Sequence, residues 1–169
     1  MTPPGASPDA LKAFHSIVSH LDYPMVVVTA AAAGERSGCL VGFHTQCSID
    51  PPRWLIGISK KNHTYRIGLQ ADVLTAHFLG QQDVELARLF GEETGDEVDK
   101  FTRCRWHEGP LGAVVLDDCA DWVAFRIIDH HDGGDHFLFR GEPVAAERGQ
   151  EQRQLSFQMV KDFHPGHEA

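Results

Sequence analysis

Apolar positions change their spacing several times along the chain, and each change marks a predicted element. Leu11, Phe14, Ile17, Val18 and Leu21 recur at the period of one helical face. Ser7 supplies a capping hydroxyl before them and Pro8 is tolerated at the first helical position, so the spacing predicts a helix lying on whatever sheet follows. From Met25 the pattern turns β-branched. Met25–Thr29 reads as a strand, Gly34 to Gly38 as turn chemistry, and Cys39 to Cys47 as the returning strand of a hairpin. Asp50-Pro51-Pro52 stops the pairing because proline supplies no ladder donor, and Trp54–Ile58 restarts it. A short helix over Thr64–Gln70 and a strand over Val73–Leu79 follow. The next helix is expected over Asp83–Phe90, with Asp83 as cap and Gly91 as terminator. Three last strands are expected at Ala113–Leu116, Asp121–Asp129 and His136–Ala146. Gly133-Gly134 between the final two is a hairpin signal, since glycine accepts positive φ at no steric cost.

Many short strands with a few helices between them argue a mainly β fold, an antiparallel β-barrel with helical decorations, because closure removes exposed sheet edges. The chain has 169 residues, enough for one core. Residues 1–8 are expected to form a flexible arm, 9–148 the domain, and 149–169 a polar tail that packs on a partner subunit or stays loose. No apolar run approaches the ~20 residues of a membrane span and no leader pattern is evident, so a cytoplasmic location is expected. The net charge of −9 repels phosphate backbones and anionic membranes, which disfavours a nucleic-acid or membrane partner. Four cysteines without a CxxC pair read as reduced thiols.

Charge is segregated in one window. Between Pro51 and Ala71 there is no Asp or Glu, while Arg53, Lys60, Lys61 and Arg66 are all basic. Within it, Ser59 to Thr64 follows a buried strand and opens a helix, where hydroxyls, a lysine and helix amides converge on an anion; the alternative is a solvated turn with an ordinary cap. Asp132-Gly133-Gly134-Asp135-His136 ends a turn in a histidine able to donate a hydrogen bond or shuttle a proton. The neighbouring His130 and His131 raise a metal reading, weakened because neighbours on a strand point to opposite faces. Neither a nucleophile elbow, a Walker loop nor a Gly-x-Gly-x-x-Gly turn is present.

With these residues in place, the chain resembles the flavin reductase-like family of FMN-binding split-barrel proteins over about Phe14 to Val144. The resemblance is carried by Val26-Val27-Val28-Thr29-Ala30, Gly38 through Pro52, Lys60 to Thr64, Asp99-Lys100-Phe101, and Gly134-Asp135-His136 with Gly141 and Val144. It implies a six-stranded antiparallel Greek-key split barrel, usually a homodimer with a flavin near the subunit boundary. It also implies hydride transfer from NADH or NADPH to FMN, with FAD or a deazaflavin as alternatives, and a monooxygenase component as a partner. Leu40, Val41, Gly42, Thr45 and Gln46 would run beside the flavin ring. Ser59, Lys60, Asn62 and Thr64 would hold the phosphate, Lys100 would close over the cofactor, and His136 would orient the nicotinamide. The chain departs from the family's usual Asn-Ser-Phe-Thr-Ser segment, reading Gly42-Phe43-His44-Thr45-Gln46, which alters the hydrogen bonds offered to the ring edge. Two other classes compete: a non-catalytic protein holding a flavin, deazaflavin or haem-like ligand in the same fold, and a small metal-dependent protein built on the histidine cluster.

Overall fold

The computed structural model describes residues 5–166; residues 1–4 of the expected arm and 167–169 of the expected tail lie outside them. The chain runs α1 (Pro8–Val18), β1 (Val26–Ala32), β2 (Glu35–Val41), β3 (His44–Ser48), β4 (Arg53–Ser59), α2 (His63–Gly68), β5 (Val73–Phe78), α3 (Val84–Glu92), β6 (Trp106–Glu108), β7 (Val114–Leu116), β8 (Trp122–Asp132), β9 (His136–Glu147) and α4 (Phe157–Val160). Seven strands form one antiparallel sheet in the order β2-β1-β5-β8-β9-β4-β3, and β6-β7 is a separate hairpin. The mainly β antiparallel class is as expected; the main sheet has seven strands rather than six.

The expected strand over Cys39–Cys47 is divided. Its halves, β2 and β3, lie on opposite edges of the sheet yet are joined only by Gly42 and Phe43. A link that short spans at most about 11 Å between Val41 and His44, so the sheet must curl until its two edges approach. The Phe43 carbonyl accepts from the Gly57 amide at 2.7 Å, which fixes the link against β4. The hairpin turn before β2 is also tighter than expected. Ala33 and Gly34 make it with φ of 52° and 81°, and Glu35 to Gly38 already belong to β2.

Strand β1 explains its own continuous apolar run, because both faces are covered. Val26, Val28 and Ala30 face the barrel interior with Ile56, Ile58, Leu74 and Phe139. Val27 faces a second core with Leu79, Phe90, Leu116 and Leu155. That second core includes the C-terminal segment: Leu155 and Val160 are buried in it. Fully burying a leucine stabilises by about 2 kcal/mol, which holds this polar stretch to the domain.

Two helix expectations change. Gly91 lies inside α3, which continues to Glu92, and Asp83, at the N-cap position as expected, turns its carboxylate to accept from the Gly80 amide at 2.7 Å and makes no side-chain bond to α3. Helix α1 begins as expected, with Ser7 Oγ accepting from the Ala10 amide at 3.2 Å. It does not lie on the barrel, and Leu11, Phe14, Ile17 and Leu21 remain exposed. Periodicity identifies an apolar face but not its cover. What ties the helix down is at its far end, where the Gln158 side chain donates from Nε2 to the carbonyls of Ser19 at 3.1 Å and Leu21 at 2.8 Å. Among the described residues, no helix is long and apolar enough to cross a membrane.

Candidate functional site

Where the β2-β3 link crosses the barrel mouth, a cavity of about 450 Å³ opens between β2, β4 and the C-terminal segment. Leu40, Val41, Gly42 and Phe43 make one side, Tyr23 and Phe157 another, and Ser59, Asn62 and His136 its polar end. A second hollow of about 250 Å³ shares Leu40, Ser59, Asn62 and His136 and continues along α3 past Gly91.

The polar end follows from local chain chemistry. Asn62 caps α2, its Oδ1 accepting from the Thr64 amide at 2.9 Å. Ser59 ends β4, and its Oγ accepts from the Lys61 amide at 3.3 Å. His136 opens β9 opposite Ser59, with its Nδ1 2.8 Å from Asp135 Oδ1 and its ring 4.8 Å from that of Phe43. The turn between β8 and β9 also brings acid to the acid-free window. Lys60 Nζ donates to Asp132 Oδ1 at 2.7 Å, and that contact together with the Gly134 amide holds the Asp132 carboxyl below the usual range.

The other side is an edge strand. Lys100, only 3% exposed, donates from Nζ to the carbonyls of Gly38 at 3.0 Å and Phe90 at 3.1 Å. The Gly38 carbonyl is therefore turned away from β1, and strand alternation turns the N–H and C=O of Leu40 the same way, toward the cavity edge. Burial pushes the Lys100 ammonium below its ordinary pKa and pushes the Cys39 thiol beside it up. An apolar slot with strand-edge amides on one side and hydroxyl, amide and imidazole groups at one end fits a planar heterocycle carrying an anionic tail. Gly42 is part of that fit: a Cβ there would lie 2.7 Å from the Tyr23 ring.

Of the residues singled out from sequence, Leu40, Val41, Gly42, Ser59, Asn62 and His136 come together around the cavity. Thr45 and Gln46 are exposed on β3, outside the lining. Thr64 is fully buried, its hydroxyl 2.9 Å from Ser37 Oγ, so it braces the α2 start and does not face the cavity. Lys100 acts behind the wall and not over it. Lys60 stands beside Ser59 at the rim, engaged with Asp132. The histidine cluster is dispersed: His131 turns to Asp129 at 3.4 Å while His130 lies against Phe137. Among the described residues, no group of three or more His, Cys, Asp or Glu is placed to hold a metal. Sequence reading missed Tyr23 and Phe157, whose rings stack at 4.9 Å and line the cavity. For Phe157, its place as an isolated aromatic in a polar tail is the available signal.

A β-barrel with a ring-sized apolar slot at its open seam has the form of a cofactor-binding barrel. The profile described as flavin reductase like domain matches residues 18–162, and the chain belongs to that family. It is 28% identical over 136 residues to the reductase component of a 4-nitrophenol 4-monooxygenase/4-nitrocatechol 2-monooxygenase from Rhodococcus opacus, covering 80% of this chain and 71% of the relative. It is 27% identical over 154 residues to an NADH:riboflavin 5'-phosphate oxidoreductase from Streptomyces pristinaespiralis, covering 90% and 86%. Among solved structures, the NADH:FAD oxidoreductase SgcE6 of Streptomyces globisporus shares the fold with a TM-score of 0.78 at 22% identity, over 90% of this chain and 91% of that one.

Proposed function

We propose that this chain is an NAD(P)H-dependent flavin reductase, with FMN in the cavity between β2, β4 and the C-terminal segment. The observation that carries the reading is the convergence of the Leu40–Gly42 strand edge with Ser59, Asn62 and His136 on one ring-sized slot. A bound flavin supplies the acceptor for hydride from a reduced nicotinamide, chemistry that belongs to the cofactor. The chain's own work is placement. Backbone groups of Leu40 and Gly42 read the ring edge, and the apolar side chains around them exclude water. Ser59 and Asn62, with Lys60 at the rim, hold the phosphate by charge-assisted hydrogen bonds. His136 stands at the mouth and orients the nicotinamide. The reduced flavin serves a separate monooxygenase, a reading supported by the Rhodococcus opacus relative, which is the reductase component of a monooxygenase.

The exposed apolar face of α1 supports a homodimer. Phe14 and Ile17 are 58% and 64% exposed, and a row of such side chains on one helix face is covered economically by a second copy. Titrating the purified protein into FMN and following quenching of flavin fluorescence tests the cofactor assignment: saturable one-to-one quenching supports it, and no quenching with FMN or FAD refutes it.

A further inference from the structure

We propose that the C-terminal segment Phe157–Pro165 is a wall of the flavin cavity, and that the attachment of its far end sets how long the flavin stays bound. The inference rests on the cofactor reading above and adds residues to that site.

The segment is fastened at two places of different character. Its root is built like a strand: the Leu155 amide donates to Leu79 O at 2.9 Å, the Leu155 carbonyl accepts from Met25 at 2.8 Å, and the Phe157 amide donates to Tyr23 O at 2.9 Å. Leu155 and Val160 are buried, so the root belongs to the second core. Between them the Phe157 ring lies on that of Tyr23, with 16° between their planes, and both face the cavity.

The far end rests on the last turn of α3. The Arg88 guanidinium lies 4.5 Å from the Phe163 ring centre, the His164 amide donates to Glu92 Oε1 at 3.1 Å, and the Gly166 amide donates to Gly91 O at 3.4 Å. Phe163 and Pro165 complete the hollow that continues the main cavity. The approach is close enough to need glycine: a Cβ on Gly166 would lie 2.6 Å from the Glu93 carbonyl carbon and 2.7 Å from Glu92 O, both backbone atoms. Gly166 itself lines neither hollow.

A root buried in the second core and a far end held by the half-buried Phe163, which packs on the edge of that core, and by two hydrogen bonds differ in opening cost. The end can part from α3 while the core stays closed, since local opening is governed by local contacts. Phe163 and Pro165 add apolar cover to a ring seated in the cavity, and lost cover shows chiefly in the dissociation rate.

The test uses the full chain with Gly166→Ala, which disturbs the attachment without touching the lining, and Phe163→Ala, which removes cover directly. FMN release is followed as recovery of flavin fluorescence after rapid dilution of the complex, and apo-protein thermal unfolding is measured alongside. Both variants are expected to release FMN about tenfold faster than wild type, a factor equivalent to about 1.4 kcal/mol, with the unfolding midpoint of Gly166→Ala unchanged. Release at the wild-type rate in both variants overturns the wall, while leaving the cofactor reading intact. A lowered midpoint in Gly166→Ala overturns it as well, because the far end would then belong to the core. A wild-type protein that binds neither FMN nor FAD refutes the cofactor reading, and the wall falls with it.

Discussion

His77 Nε2 accepts the backbone amide of Leu116 at 3.0 Å, and this contact fixes the histidine's tautomer. With Nε2 an acceptor, the proton sits on Nδ1 and donates to Val27 O at 3.0 Å. One fully buried imidazole thus joins β5, where it resides, to β7 and β1. Thr29 adds a parallel tie, its hydroxyl donating to Val114 O at 2.6 Å. A protonated ring could not accept from Leu116.

Burial pushes the His77 pKa from 6.5 to about 4, only partly offset by the bond to Val27. The unfolded chain therefore binds more protons than the folded one between these values. Stability is full above the unfolded pKa and falls as pH drops from 6.5 toward 4. His44, lowered by its own burial, acts in the same direction. We expect the protein to be about 2 kcal/mol less stable to urea at about pH 5 than at about pH 7.5. A flat stability across that interval would show that His77 is not held neutral.

Lys60 and Asp132 make a second prediction whose two arms have opposite signs. Asp132 occupies the lysine that the phosphate reading assigns to the flavin tail. Lys60→Ala should weaken FMN binding by about tenfold, and Asp132→Ala should strengthen it several-fold by releasing the ammonium and removing a like charge. Fluorescence titrations of both variants check this. Equal affinities in wild type and both variants would remove Lys60 from the site.

The Ser59-to-Thr64 stretch shows what was legible in the sequence and what was not. The acid-free window falls at the polar end of the cavity, and its strand end followed by a helix cap is legible because it is a local pattern. That Asp132 and Asp135 fold back onto it is a pairing of β9 with β4, invisible to a linear window. The inward turn of Thr64 is hidden for a similar reason: its hydroxyl meets Ser37, 27 positions away. Lys100 was placed over the cofactor by resemblance, whereas its two carbonyl partners come from β2 and α3. Leu40 to Gly42 are pointed to by the family resemblance alone; they line the cavity at an edge strand, which offers backbone groups whatever its side chains are. The aromatic wall of Tyr23 and Phe157 was missed because it joins segments 134 residues apart by an isolated bridge at Pro24 and Ser156.

His136→Ala should separate binding from reduction. The imidazole stands at the cavity mouth beside Phe43, so its loss should slow reduction of bound flavin by about tenfold or more while changing FMN affinity less than threefold. Stopped-flow reduction under anaerobic conditions gives the rate, and fluorescence titration gives the affinity. Equal reduction rates in variant and wild type would end the orienting role.

The apolar face of α1 predicts assembly. Ile17→Asp places a charge at the centre of the exposed row formed by Leu11, Phe14, Ile17 and Leu21, and should convert a dimer to a monomer. The side chain touches no core residue, so the far-ultraviolet circular dichroism spectrum should be unchanged. Sedimentation velocity on both proteins decides the matter: a wild-type monomer, or a variant that stays dimeric, contradicts α1 as the contact.

Whether the seam of this barrel seats a flavin for reduction by a nicotinamide is decided by one anaerobic experiment. The purified protein is loaded with FMN, its visible spectrum is recorded, and NADH or NADPH is added while the visible absorbance of the oxidised flavin is followed. The expected result is a bound-flavin spectrum that bleaches within seconds with at least one of the two donors, and a second turnover when oxygen is admitted. A protein that binds FMN but leaves it oxidised with both donors would contradict it, and would mark this chain as a flavin carrier of the same fold.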